Sequence, residues 1–401
     1  MSREVPEGWT PARLGEICRP RQWPTIPKSS FTDVGYTVYG ANGPIGKYHS
    51  FTHERETIAV TCRGATCGVV NLVPAYSYIT GNAMALDDID ASTAEQRYLY
   101  QLLIYIGFDG VISGSAQPQI TGQAISAVEI LLPPLYEQRR IAEILSCIDD
   151  AIAATRAVIE QIRKVKQGVL ERLLTKGIGH TRFKQTEIGE IPEGWRIGTL
   201  GSIALGLEAG VSVNSENRPK QPGEIGILKT SCVSAGIFDP EEHKTVLLGE
   251  RDRVKIPVRG NRIIISRMNT PNLVGANGYV ENDIDDLFLP DRLWQLSTSE
   301  NARWLACLLA SDQSRERLSA IATGTSGSMK NISKSKLLDL PFAIPSQAEQ
   351  QEIASIMQEI DASIEAGNRT LEGQIATKSA LMSDLLTGRK RVTDALPMAA
   401  E

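Results

Sequence analysis

No apolar run in the 401 residues approaches the ~18–20 residues that a membrane span requires. The start, MSREVPEGWT, carries charge but not the apolar core of a secretory signal. Cysteine is sparse: Cys18, Cys62, Cys67, Cys147, Cys232 and Cys307 are scattered too widely for a disulfide framework. Reduced thiols and a cytoplasmic location are therefore expected, with no membrane partner. Net positive charge is also missing, since the sum is −5. The sum conceals a local pattern: residues 181–345 are neutral overall, yet they hold 20 of the 42 Lys and Arg residues. Clustering rather than net charge decides whether a surface attracts phosphate.

Complete catalytic signatures are absent as well. GANGPIGK at Gly40–Lys47 approaches a phosphate loop, but that motif would need Gly at Ala41 and Ser or Thr at Tyr48. A turn between strands is the better reading. No GxGxxG occurs. His49, His53, Cys62 and Cys67 do not have the spacing of a zinc set, so no metal is expected. DPEEHK at Asp239–Lys244 places acids before a lysine, as nuclease sites do, but reads better as a solvated turn.

What the chain does have is a repeat. EQRRIAEILSCIDDAI from Glu137 returns as EQQEIASIMQEIDASI from Glu349. VPEGWTPARLGEI from Val5 returns as IPEGWRIGTLGSI from Ile191. One unit is written twice: a Trp-marked start, a variable block and a long helix. Short runs such as YTVYG, TIAVTC, GVVNLV, RIIISR and KTVLL, bounded by Gly, Pro and Asn, predict strands in the variable blocks. A helix is expected near residues 94–106 and another near 301–320, so each block is expected to be a mixed α/β or α+β globule, with α+β the fold class adopted.

Alternating steps of four and three residues from Ile141 reach Leu145, Ile148, Ile152, Thr155, Ile159, Ile162, Lys166, Val169 and Leu173. The same steps from Ile353 reach Met357, Ile360, Ile364, Gly367, Leu371, Gln374, Lys378, Leu381 and Leu385. Eight positions of the first ten and seven of the second are apolar, a coiled-coil spacing. Each helix of roughly 38 residues would be about 57 Å long. Pro133-Pro134 and Pro345 bar helix upstream, and Gly177 suits the exit of the first helix. The stripe could pack on its own domain, but two matched stripes are most simply buried against each other. Lys166 and Lys378 occupy equivalent seam positions, where a charge can fix register.

The order of these elements resembles the specificity subunit of type I restriction–modification systems, over essentially the whole chain. The likeness rests on LPP…EQRRIA (Leu132–Ala142) and AIP…EQQEIA (Ala343–Ala354), on the exits LLTKG and LLTGRKR, and on both PEGW segments. YGANGPIG, TCRGATCG, ILKTSCV and IISRM add to it. The resemblance implies two tandem pseudo-symmetric target-recognition domains, each followed by a long helix, the two helices pairing as an antiparallel coiled coil. The expected blocks are residues 1–132 (first recognition domain), 133–178 (first helix), 179–344 (second domain), 345–390 (second helix) and 391–401 (flexible tail). It further implies that each domain reads one half of a split site in double-stranded DNA, without chemistry of its own. The partners would be two methyltransferase subunits and restriction/translocase subunits. No Asn/Asp-Pro-Pro-aromatic tetrapeptide of an amino-methyltransferase is present, and no cofactor is expected in this chain. S-adenosylmethionine, ATP and magnesium would sit on the partners.

Base edges need Arg or Lys for guanine and Asn or Gln for adenine, and phosphates accept Lys, Arg, Ser and Thr. The DNA-binding candidates on loops beside strands are Asn42, Lys47, Arg63 and Gln117 in the first block. In the second they are Lys229, Thr230, Arg267, Asn272, Lys330 and Asn331. Arg63 and Arg267 rank highest because each closes an apolar strand-like run; SGSMKN at Ser326–Asn331 follows. Each could equally be a solvated surface residue or turn former. Partner docking is expected at Glu137, Gln138, Arg139 and Arg140 and at Glu349, Gln350, Gln351 and Glu352, with helix capping as the plain alternative. Two competing functions remain: a two-headed coiled-coil adaptor that binds proteins, and a stand-alone enzyme with a degenerate site.

Overall fold

The computed structural model describes residues 5–114, 117–234, 236–324 and 329–392. The chain forms two compact units: residues up to 158 together with those from 367 onward, and residues 159–366. Neither division coincides with the block boundaries set from the sequence. Both fall inside the long helices, Leu135–Lys176 and Gln347–Leu385. Each unit therefore takes in the first part of one helix and the last part of the other.

Unit 1 is built in three layers. A four-stranded antiparallel sheet has the order Arg19–Gln22, Ala83–Asp87, Thr57–Thr61, Val70–Val73. All five residues of Thr57–Thr61 are buried, because both faces of this central strand are covered. Alternate side chains point to opposite faces. Ile58 and Val60 join a core with Leu99 and Leu103 of the helix Gln96–Ile106. Ala59 joins a second cluster with Ile79, against which Tyr39 packs. These last residues belong to a smaller sheet, Pro44–Tyr48, Tyr36–Tyr39 and Ser77–Ile79, whose last pair is parallel.

Unit 2 repeats the plan. Its four-stranded sheet runs Ala204–Ala209, Leu293–Thr298, Arg262–Ser266, Asn277–Val280. Ile263 and Ile265 face a helix layer containing Leu305 and Leu309, and Ile264 faces Leu228 and Leu287 of the second sheet. That second sheet is larger: Ser215–Glu216, His243–Val246, Gly226–Leu228, Ile284–Phe288 and Pro257–Val258. It keeps one parallel pair, Gly226–Leu228 with Ile284–Phe288. The duplication thus extends into the blocks whose sequences have diverged. The helix expected near 301–320 is two helices, Ala302–Ala310 and Asp312–Ile321. Ser311 is extended and accepts from the Ser314 amide, so it ends one helix and caps the next.

Within each unit the two helix segments run antiparallel. In unit 1, Asp149 pairs with Lys378 at 2.6 Å and Glu137 with Arg391 at 2.8 Å. Ile141 and Leu145 share a core with Met382, Leu385 and Leu386. In unit 2, Lys166 pairs with Asp361 at 2.5 Å, while Leu170 shares a core with Ile353 and Met357. Every position of both four-and-three series is buried or half-buried. The seam lysines are thus met by aspartates rather than left to lean into solvent.

The first two residues of the expected flexible tail are held in place. Arg391 is held by Glu137, and Val392 is buried in the unit 1 core; residues 393–401 lie outside the described residues.

Candidate nucleic-acid interface

In unit 2 the strand Arg262–Ser266 delivers Arg267 to the rim of the sheet. The Arg267 amide donates to the Arg292 carbonyl at 3.1 Å, and its carbonyl accepts from the Ile332 amide at 2.9 Å. A two-residue ladder sets Met268 opposite Asn331 and Asn269 opposite Lys330. The structure therefore brings Arg267, Lys330 and Asn331 together. The Arg267 guanidinium lies 5.3 Å from the centre of the buried Trp294 ring, a cation–π arrangement. Its Nε and the Asn331 Oδ1 are buried without a hydrogen-bond partner among the described residues. Orphaned polar atoms cost stability and mark places where a ligand can complete the set. Asn272 is exposed on the loop that returns to the same strand end, where the Gly275 amide donates to the Ser266 carbonyl at 2.7 Å. Of SGSMKN, residues 326–328 lie outside the described residues.

Lys229 and Thr230 line a cleft of ≈ 320 Å³ at the end of the five-stranded sheet, shared with Lys244 and Arg292. Lys229 has a partner, Glu242 at 3.7 Å. The Glu242 carboxyl is held below its ordinary value by the Ser231 hydroxyl and by Lys229. Lys244 and Arg292 were missed in the sequence. A signal for Arg292 exists: it immediately precedes Leu293–Thr298, the antiparallel neighbour of the strand that Arg267 follows.

In unit 1 the turn carrying Asn42 is tied to the end of the central strand, since the Thr61 hydroxyl donates to the Ala41 carbonyl. Two residues on, Arg63 is exposed and bridged to Gln119, and the Gly64 amide donates to the Pro118 carbonyl at 3.1 Å. Asn42, Arg63 and the exposed Gln117 thus share one rim. Lys47 does not join them. It sits down the hairpin opposite Thr37, exposed on the strand Pro44–Tyr48, about 10 Å from Pro44 at the usual strand rise.

Arg63 and Arg267, each expected to close an apolar strand, differ by one position in the shared frame. The Cys62 amide donates to Asn82 and its carbonyl accepts from Ile120, the bonds that Arg267 makes to Arg292 and Ile332. Cys62 therefore matches Arg267, and Arg63 matches Met268. Adjacent strand positions point to opposite faces, so the two arginines leave their sheets differently. One is exposed; the other is packed over an indole.

Four of the eight docking candidates are internal, which corrects that expectation. Glu137 is 1% exposed and grips Arg391 through both oxygens at 2.8 Å. Gln138 accepts from the Glu95 amide at 2.8 Å and donates to the Thr93 and Pro133 carbonyls. Glu349 accepts from the Ile178 amide and Trp195 Nε1, both at 2.9 Å, and meets His180 Nε2 at 3.0 Å. Gln350 accepts from the Asn301 amide at 2.9 Å and donates to Glu300 and Pro345. The repeated Glu-Gln pair therefore locks each helix start onto the loop before the domain's own helix and onto the exit of the other long helix. The other candidates stay on the surface. Arg139, Gln351 and Glu352 are exposed, and the half-exposed Arg140 pairs with Glu143 at 2.6 Å.

The set-aside motifs have structural roles. Gly40–Lys47 is a hairpin leading into a strand, not a helix. His53 contacts Thr52 at 2.7 Å and Asp87 at 2.9 Å through its two nitrogens. Among the described residues no cluster of three metal-ligating side chains occurs. Burial pushes the Cys18 thiol up to about 12 and also raises that of Cys62. DPEEHK forms a turn in which the Glu241 amide donates to the Asp239 carboxylate at 2.9 Å.

Known proteins with the same organisation can now be set beside these units. Residues 6–164 and 192–375 match the type I restriction modification DNA specificity domain. The chain is 26% identical, over 97% of its length and 94% of the relative's, to the type I restriction enzyme MjaVIII specificity subunit of Methanocaldococcus jannaschii. It is 27% identical to the EcoEI specificity subunit of Escherichia coli over 42% of this chain and 29% of that one. Its fold is similar to the S subunit of a type I restriction–modification system from M. genitalium. The TM-score is 0.62 and the identity 16%, covering 96% of this chain and 97% of that one. A chain from a type I R-M system, solved in work on complex assembly and conformational transition, gives a TM-score of 0.54 at 16% identity, covering 96% and 100%. With the specificity domain matched twice and the internal frame duplicated, the chain belongs to the type I restriction–modification DNA specificity family.

Proposed function

We propose that this chain selects the DNA site for a type I restriction–modification complex, each unit reading one half of a bipartite sequence. The observation that carries this reading is a single frame with two unlike rims. The same sheet order and the same strand-end hydrogen bonds present Arg63, Asn42 and Gln117 in one unit and Arg267, Lys330 and Asn331 in the other. Half-sites about one helical turn apart, roughly 34–36 Å, would suit two such readers, with the paired helices setting the spacing.

The exposed helix-start residues Arg139, Arg140, Gln351 and Glu352 are then the docking candidates for two methyltransferase subunits, which restriction/translocase subunits would join. Methyl transfer, ATP use and cleavage would belong to those partners, with S-adenosylmethionine, ATP and magnesium bound there. No described helix is long and apolar enough to cross a membrane, and work on chromosomal DNA calls for a cytoplasmic protein. The matched family favours DNA over the protein-binding adaptor.

Mobility shift of duplex DNA by this chain with its methyltransferase partner tests the reading. Arg267→Ala is expected to relax one half-site by about 1–3 kcal/mol of base discrimination and to leave the other unchanged. An unaltered preference at both would contradict the assignment of Arg267.

A further inference from the structure

We infer that the cleft at the end of the five-stranded sheet of unit 2 seats one backbone phosphate of the DNA, held by Lys244 and Arg292. The inference rests on the reading of unit 2 as a DNA-recognition unit, and adds to it which chemical group this cleft takes.

Among the three cations that line the cleft, Lys229 has a carboxylate partner, Glu242, and Lys244 and Arg292 do not. Neither of these two forms an ion pair with the nearby carboxylates among the described residues. Asp291 accepts from the Ser212 hydroxyl, and Glu242 is engaged by Ser231 at 2.5 Å and by Lys229. Part of the wall, Ile227 and Leu228, is buried and apolar. Low-dielectric walls around unpaired cations focus the field on the space between them.

Position favours a phosphate over a base edge. The side chains come from different strands: Lys244 from His243–Val246, and Arg292 from the residue before Leu293–Thr298. Both residues line the same cleft as Ser215 and Thr230, residue types whose hydroxyls donate to phosphate oxygens. Arg292 also accepts, through its carbonyl, from the amide of Arg267. A phosphate in the cleft would lie next to the rim where Arg267 and Asn331 hold a donor and an acceptor without partners. The cleft anchors and the rim reads.

The test uses the full chain with its methyltransferase partner and a duplex carrying the sequence that the complex methylates. Binding is titrated against salt for wild type, Lys244→Gln, Arg292→Gln and the double variant. Loss of one phosphate contact is expected to lower the slope of log K against log salt by about 0.9. In the double variant it should weaken binding roughly tenfold while the methylated sequence stays the same. Wild-type thermal midpoints and intact recognition of the unit 1 half-site confirm folding. Unchanged slope and affinity in folded variants would overturn the phosphate seat while wild type still prefers its own duplex. So would a changed methylated sequence at unchanged slope, because the cleft would then be reading bases. A wild-type complex with no preference over a scrambled duplex would overturn the DNA reading itself.

Discussion

In unit 1 the carboxylate that opens the long helix, Glu137, meets the guanidinium of Arg391. In unit 2 its counterpart, Glu349, meets a backbone amide, the Trp195 indole and the His180 imidazole. The equivalent indole of unit 1, Trp9, is buried with its Nε1 unpartnered among the described residues. The position of the acid is constant and its donors are interchangeable. The rims obey the same rule: strand-end hydrogen bonds persist while the side chains change from Cys62 to Arg267 and from Asn82 to Arg292. Backbone geometry carries the frame, which leaves side chains at the rim free to diverge.

The sharpest way to separate the two closures is to remove each acid. Glu349→Ala should cost about 3–4 kcal/mol, since it orphans an amide and an indole in a buried setting. Glu137→Ala should cost less, about 2 kcal/mol, because the Arg391 side chain is 33% exposed and water can solvate the freed charge. Urea unfolding of both variants checks the order, and equal losses would show that partner chemistry does not matter.

The exit glycines offer a second contrast. Gly177 and Gly388 have φ of +64° and +69°. A Cβ on Gly177 would lie 2.3 Å from Glu349 Oε1, and one on Gly388 2.6 Å from Pro6 Cγ. Alanine at either should destabilise by about 1–3 kcal/mol. The larger fall in melting temperature is expected at Gly177, where the intruded atom is a held carboxylate.

Smallest of all are the seam pairs. Asp149–Lys378 and Lys166–Asp361 are partly exposed, so a double-mutant cycle on each should return a coupling of about 0.5 kcal/mol. Similar values in the two units would mark the seam as the most symmetric part of the molecule.

Much of this was legible in the chain. The PEGW and Glu-Gln repeats marked the frame, and the 3.5-residue stripe marked the face that is buried. What the repeated polar residues do was misread, although the signal was present. Glu137 and Gln138 stand four and three residues before Ile141, as Glu349 and Gln350 do before Ile353, so they lie on the inward face of the helix. Polar type suggested solvent, and helical phase was the better guide. The shared sheet order was not readable, because buried strands keep their pattern and not their residues; TIAVT and RIIIS have only Ile58 and Ile263 in common when aligned. The one-position shift between Arg63 and Arg267 was hidden for the same reason: only hydrogen-bond register reveals it. Arg292 and Lys244 were invisible individually, since a cleft gathers residues from strands far apart in sequence.

The most direct test of two separate readers on one frame is sequencing of methylated adenines in cells carrying this chain and the proposed methyltransferase partner, with and without Arg267→Ala. A split motif is predicted, two specified halves around unspecified bases, of which the substitution relaxes one. A continuous motif, or simultaneous change in both halves, would contradict it.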